Sequence, residues 1–341
     1  MSARWSPPGA TWGGRVADST VKAPPLQTSV LVQRLSYGLL AVATAFAFVA
    51  ADGMISYFCN WDPPLGTLLR VGSVMPLACA VLLPLAAREL FQLMEAVGLR
   101  PLRRWAAVTC GVLMLTPWLS AGQILTSYPF ASDGLRWILI VCVVSFLGSA
   151  CLLVWRRRTD GAIGTIAATW ATILYLGLFP SFAMQLRCST SVPGFYGAWV
   201  LMFFLAVTKA SDIGAYLVGS AFGRHKLIPA VSPAKSVEGA MGAVALSVSV
   251  SLILSTVAPT LMGESPESAF LSTGQAVIFG IAVSLFAQMG DLFESVLKRD
   301  AQIKDSGRVI PSFGGILDLV DSPAITAPIA WLLLSQWWGV V

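Results

Sequence analysis

The segment QMGDLFESVLKRD, residues 288–300, carries Asp291, Glu294, Ser295 and Lys298 at i, i+3, i+4 and i+7. That spacing puts all four on one stripe of a helix. Leu292, Val296 and Arg299 fall on the other side. Alone, the stripe also reads as a solvated helix end with a Glu294–Lys298 salt bridge and Glu294 in a supporting place. Downstream, Pro311, Gly314 and Gly315 form a tight loop whose backbone can approach a ligand closely. Asp318 and Asp321 follow, three apart, just ahead of Pro323. On one helical turn their carboxylates face the same way and can meet Asp291. Three converging carboxylates repel unless a cation sits among them. An oxygen-only donor set without His or Cys favours a hard ion, Mg²⁺ first. Lys298, Arg299, Lys304 and Arg308 suit phosphate oxygens. Metal plus phosphate groups is the arrangement of phosphoryl or nucleotidyl transfer.

A third fragment, residues 209–242, supplies further candidates. Asp212 stands within apolar sequence, and Lys226, Ser232, Lys235 and Ser236 bring cations and hydroxyls to a short loop. Its glycines match neither GxGxxG nor the P-loop spacing, so no nucleotide motif is present. A loop whose positive charge only sets orientation explains it as well as phosphate binding does. Ser236 is placed to cap the next helix, with Glu238 in its first turn.

The elements that must position these residues are membrane helices. The chain has 341 residues, 56% hydrophobic and 11% charged, with a mean hydropathy of +0.75. Soluble domains are about 25% charged. The fold expected is an all-α integral membrane protein with about nine transmembrane helices, near 33–56, 70–88, 105–127, 135–155, 162–184, 195–209, 238–262, 272–292 and 323–341. The sixth is the weakest, and the stretch 212–222 can extend it.

Lys and Arg set the orientation. With a cytoplasmic N-terminus, all but Arg70, Arg136 and Arg187 of the 22 fall inside. They group in the tail, in three loops (88–104, 156–158 and 209–235) and around 298–308. The C-terminus then lies outside. The net charge of +5 is accounted for by topology and anionic lipid headgroups, without nucleic acid. Residues 1–29 read as a disordered cytoplasmic tail, 30–200 as scaffold helices and 201–341 as the catalytic membrane domain. The six cysteines form no CxxC pair, and the single His225 has no partner for a zinc site. Cys59 and Cys188 map near the outer face, where pairing is possible.

From Ser295 to Asp321 the run S-V-L-K-R-x4-K-D-S-G-x2-I-P-x-F-G-G-I-L-D-L-V-D resembles the C-terminal motif of phosphatidate cytidylyltransferases, also called CDP-diglyceride synthases. Upstream, D-I-G-A-Y and S-P-A-K-S-V-E-G resemble the conserved loop of that family. Close resemblance covers about residues 205–325. Two positions depart from the pattern: Phe313 replaces the usual His before Gly-Gly, and Leu319 replaces an Arg. The resemblance implies that CTP and phosphatidic acid give CDP-diacylglycerol and pyrophosphate. It implies a centre with Mg²⁺ and a second cation such as K⁺ on Asp291, Asp318 and Asp321. Lys298, Arg299, Lys304 and Asp305 are then catalytic. Asp212, Lys226, Ser232, Lys235, Ser295, Arg308, Gly314 and Gly315 bind substrate.

The nucleophile so implied is a phosphate oxygen, dianionic near neutral pH, which needs no base. The expected location is a bacterial inner membrane, with membrane lipids as neighbours; small-residue helix faces permit a homodimer. A CTP-dependent polyprenol or phytol kinase would release CDP and need a base for its alcohol. A transporter would place its charges near the midplane, between repeats.

Overall fold

The computed structural model describes residues 43–44, 46–56, 58, 71–121, 134–157, 159–188, 195–262, 270–303 and 315–340. Nine helices run through them, joined at one point by a short hairpin. They are α1 (Phe46–Ser56), α2 (Val74–Ala96), α3 (Arg103–Ala121), α4 (Gly134–Trp155), α5 (Ala162–Cys188) and α6 (Phe195–Phe222). Strands β1 (Lys226–Ile228) and β2 (Ser232–Ser236) precede α7 (Val237–Met262), α8 (Thr273–Asp300) and α9 (Leu317–Trp337). Seven are long and apolar enough to cross a membrane: α2, α4, α5, α6, α7, α8 and α9. The protein is a multi-pass helical membrane protein. Helices α1 and α3 fall at the first and third expected spans but are not among the seven; α3 opens on Arg103 and Arg104, which lower its hydropathy.

Several boundaries differ from the apolar-run reading. Helix α6 is continuous for 28 residues through Lys209 and Asp212. Helix α8 passes residue 292 and ends at Asp300. Helix α9 starts at Leu317, so Asp318 and Asp321 lie within its first turns rather than ahead of it. In each case a charged residue is paired, Lys209 with Asp212, Asp291 with Lys235 and Asp318 with Lys298, so the helix continues where hydropathy falls. The loop at 209–242 contains an antiparallel hairpin, with Lys226 opposite Ser236 and Ile228 opposite Ser232. The uneven register marks an irregularity, as expected where Pro233 lacks an N–H for the ladder.

The main core joins α6, α7, α8 and α9. Phe203 and Phe279 pack with ring centroids 5.0 Å apart, and Phe203 meets Phe270 at 5.1 Å. Small residues let the helices close: a Cβ on Gly280 would strike the Val248 backbone, 2.6 Å from its Cα. A second core gathers α2, α3, α5 and the start of α9 around Leu90, Leu113, Leu176 and Leu317. At the far end from the hairpin, Arg187 of α5 and Asp52 of α1 form a buried ion pair at 2.8 Å. Asp52 also accepts the N–H of Val74 at 2.6 Å and Arg187 donates to Ser56 at 2.8 Å, so α1, α2 and α5 are pinned at one point. Cys188 is a free thiol; Cys59 and the tail 1–29 lie outside the described residues.

Candidate active site

The polar stripe of α8 faces the first turns of α9. One carboxylate oxygen from each of Asp291, Glu294 and Asp321 lies within 4.8 Å of the others. Glu294 is 3% exposed and Asp321 4%, whereas the Asp291 side chain is 47% exposed. The small Gly290 lets α9 approach: a Cβ there would sit 2.9 Å from the Asp321 carbonyl oxygen. Counting nine residues from Asp291 to the end of α8 and ten from Asp212 to the end of α6, the cluster lies about 14–15 Å inside the helix ends.

Lysines balance these carboxylates. Lys235, from the second hairpin strand, reaches Asp291 at 2.8 Å. Lys298 bridges Glu294, at 3.0 Å, and Asp318. Lys209 pairs with Asp212 at 2.9 Å, and Ser322 of α9 donates to Asp212 at 3.4 Å. Asp318 accepts the Gly315 N–H at 2.8 Å besides its contact with Lys298. It also contacts Glu294, so the structure brings all three aspartates named by the sequence reading to one cluster and adds Glu294 to them. The two aspartates, three apart on α9, both reach the α8 stripe: Asp321 beside Asp291 and Glu294, and Asp318 through Glu294 and Lys298.

The remaining candidates divide. Arg299 donates to the Val231 carbonyl at 3.3 Å and ties the hairpin tip to α8, away from the carboxylates. Lys226 and Ser232 lie on the hairpin, and Ser295 is half-buried on α8. Leu319 is a half-buried residue of α9. Lys304, Asp305, Arg308, Phe313 and Gly314 lie outside the described residues. Ser236 caps α7 as expected, accepting the Gly239 N–H at 3.2 Å. Glu238, one turn into α7, accepts the His225 Nδ1 contact at 2.6 Å and the N–H groups of Arg224 and His225, which fixes the approach to the hairpin.

Two residues from the segment 30–200, which the sequence reading takes as scaffold, stand close to the site. Glu89 of α2 is buried and accepts the N–H of Ile316 at 3.1 Å and of Leu317 at 2.8 Å. It satisfies orphan donors at the start of α9 and fixes the helix that carries Asp321. Tyr175 of α5 lies within electrostatic reach of Asp321, Glu294, Asp291 and Asp318. A glutamate inside an apolar run was the available signal for Glu89; nothing in the local sequence marks Tyr175.

The donor set is chemically coherent for a divalent ion: hard oxygens only, two of them buried, with positive side chains around them to receive anionic groups. Mg²⁺ ligands sit about 3–4 Å apart around an ion at 2.0–2.1 Å, so the trio needs only a small contraction.

Comparison with known proteins identifies the family. Residues 65–337 match the model of the cytidylyltransferase family. A phosphatidate cytidylyltransferase of Mycobacterium bovis is 32% identical over 238 residues, 66% of this chain and 72% of the relative. One of Bacillus subtilis is 32% identical over 207 residues, 60% and 71% of the two chains. An uncharacterized protein of Escherichia coli, YnbB, is 34% identical over 194 residues, 56% of this chain and 61% of the relative. With the match spanning α2 to α9 and every element of the carboxylate site, this chain belongs to the cytidylyltransferase family of enzymes.

Proposed function

We propose that this protein transfers the cytidylyl group of CTP to phosphatidic acid, giving CDP-diacylglycerol and pyrophosphate, at the cytoplasmic face of the membrane. The observation that carries the reading is the Asp291–Glu294–Asp321 cluster beside Lys235 and Lys298, in a chain of this family. Relatives named phosphatidate cytidylyltransferase support the choice of lipid. The connections at the site's end of the bundle carry Arg100, Arg103, Arg104, Arg156 and Arg157, which favours the cytoplasmic side and an N-terminus inside. Nine crossings follow if α1 and α3 also span.

In this reaction a phosphate oxygen of the lipid attacks the α-phosphorus of CTP. The bond to the β-phosphate oxygen breaks, and pyrophosphate leaves. The dianionic phosphomonoester needs no base, which fits a site without histidine. The obstacle is repulsion between two polyanions. Asp291, Glu294 and Asp321 would hold Mg²⁺, with Asp318 and Asp212 beside them for a second cation such as K⁺. Mg²⁺, when bound, neutralises phosphate charge and aids alignment. Lys298 and Lys235 sit where they can take up the charge of the departing pyrophosphate. The loop residues Lys304, Asp305 and Arg308 are proposed to assist, and Gly314–Gly315 to let the backbone approach the phosphates. Membrane-embedded helices give the lipid substrate direct access.

The test is purified protein in detergent with phosphatidate, labelled CTP and Mg²⁺. Pyrophosphate in step with CDP-diacylglycerol is the expected result. Release of CDP with a phosphorylated lipid alcohol would identify a kinase instead, and no turnover with either lipid would overturn the enzyme reading.

A further inference from the structure

The mechanism leaves Tyr175 unused. Its side chain is 4% exposed, and its hydroxyl has no hydrogen-bond partner among the described residues. Buried hydroxyls without partners are uncommon, because the desolvation is uncompensated. This one is also within electrostatic reach of Asp321, Glu294, Asp291 and Asp318. It stands in a π-helical stretch of α5, Ile173–Leu178, and such bulges in membrane helices cluster at functional sites.

The surroundings indicate which ligand approaches. The Tyr175 ring meets Phe293 edge to face, with centroids 5.4 Å apart. Phe293 is 44% exposed, and with Met289 and Val296 at i−4 and i+3 it forms an apolar outward face of α8. Lys235 reaches the cluster at Asp291, two residues earlier, which an α-helix turns about 200° away. The hairpin therefore covers one side of α8, and Tyr175 stands on the other, beside the bilayer-facing surface.

We propose that the Tyr175 hydroxyl donates a hydrogen bond to a phosphate oxygen of the lipid substrate, making Tyr175 a lipid-headgroup binding residue contributed by the N-terminal half. The phosphate chemistry is shared by CTP; the position beside Phe293 assigns the bond to the lipid. This rests on the proposed function for the identity of the substrate.

The test is Tyr175→Phe, which keeps the ring against Phe293 and removes one oxygen. In detergent, the KM for phosphatidate should rise about 10- to 100-fold, the scale of one hydrogen bond to a charged oxygen. The KM for CTP should hold, and the ligand-free melting temperature should stay level or increase, since the hydroxyl has no partner among the described residues. Phosphatidate retention in native mass spectrometry should fall in parallel. An unchanged phosphatidate KM, or a rise in the CTP KM in its place, overturns the proposal. A drop in ligand-free melting temperature with both constants unchanged would make Tyr175 structural and overturn it too. If the wild type releases no pyrophosphate, the functional reading fails, and phosphatidate retention alone then decides the role of Tyr175: lower in the variant supports it, equal in both overturns it.

Discussion

Replacing Lys235 with Gln should tighten divalent-ion binding. Among the described residues, five carboxylates (Asp212, Asp291, Glu294, Asp318 and Asp321) share three ammonium groups (Lys209, Lys235 and Lys298), which leaves two formal negative charges between them. One divalent ion balances that deficit. Lys235 stands on Asp291 at 2.8 Å, in a charge contact without an aligned hydrogen bond, and so competes for an oxygen that a metal would use. Coulomb attraction at that distance is about 6 kcal/mol at an effective dielectric of 20. Asp291 is about half exposed, and exposed pairs retain only about 0.2–1 kcal/mol. For a pair exposed on one side and partly desolvated on the other, about 1–2 kcal/mol is the working figure, or roughly 5- to 30-fold in affinity. Mn²⁺ titration of the purified protein, read by electron paramagnetic resonance without substrate, measures it directly. Tighter Mn²⁺ binding with a raised KM for CTP is the expected pair of results. Unchanged or weaker Mn²⁺ binding would refute the idea that the lysine and the ion share Asp291.

Asp321→Asn should insert and fold yet lose Mg²⁺-dependent CTP consumption by at least ~10²-fold, the scale of one key electrostatic contact; near-normal turnover would remove it from the site. Glu294→Gln should weaken Mn²⁺ binding more than Asp318→Asn, because a Glu294 oxygen lies within 4.8 Å of those of Asp291 and Asp321 while an oxygen of Asp318 also accepts the Gly315 N–H; the reverse order would make Asp318 the stronger ligand. Arg187→Met strands the fully buried Asp52 and should cost about 3–5 kcal/mol, seen as a large loss of melting temperature in detergent. Glu89→Ala removes the acceptor for two buried N–H groups of α9 and should lower both stability and turnover, whereas Glu89→Gln, which keeps one acceptor, should do less.

The helices were legible because run length is a direct reading of bilayer thickness: a described helix overlaps each expected span, and seven of them are long and apolar enough to cross. Their ends were not. Counting apolar residues ends the sixth span at 209, with 212–222 able to extend it, ends the eighth at 292, and opens the ninth at 323; ion pairs at Asp212, Asp291 and Asp318 let α6 and α8 run on and α9 begin early. The stripe Asp291–Glu294–Lys298 was legible from helical spacing, as was the Ser236 cap. Spacing gave both α9 aspartates one direction, toward α8, and both reach it; what spacing did not show is that Glu294 stands among them. The hairpin was hidden because KLIPAVSPAKS holds too few alternating residues to show a strand pattern.

What lay beyond sequence reading shares one property: partners far apart along the chain. Arg187 and Asp52 are 135 positions apart, and Glu89 and Ile316 are 227. A lone acid or base in a membrane span has no visible partner until helices pack, so its meaning depends on contacts that no window contains. These long-range bonds all run from the N-terminal helices, which makes the first half more than lipid-facing support. Glu89 fixes the start of α9, and the second core places the α5 bulge beside α8. Asp321 is then set by a helix that α2 anchors, facing a helix that α5 flanks. A catalytic half excised from the N-terminal helices would keep Asp291, Glu294 and Asp321 in its sequence yet lose the contacts that hold α9 at its starting depth, so the carboxylate trio is a product of the whole bundle.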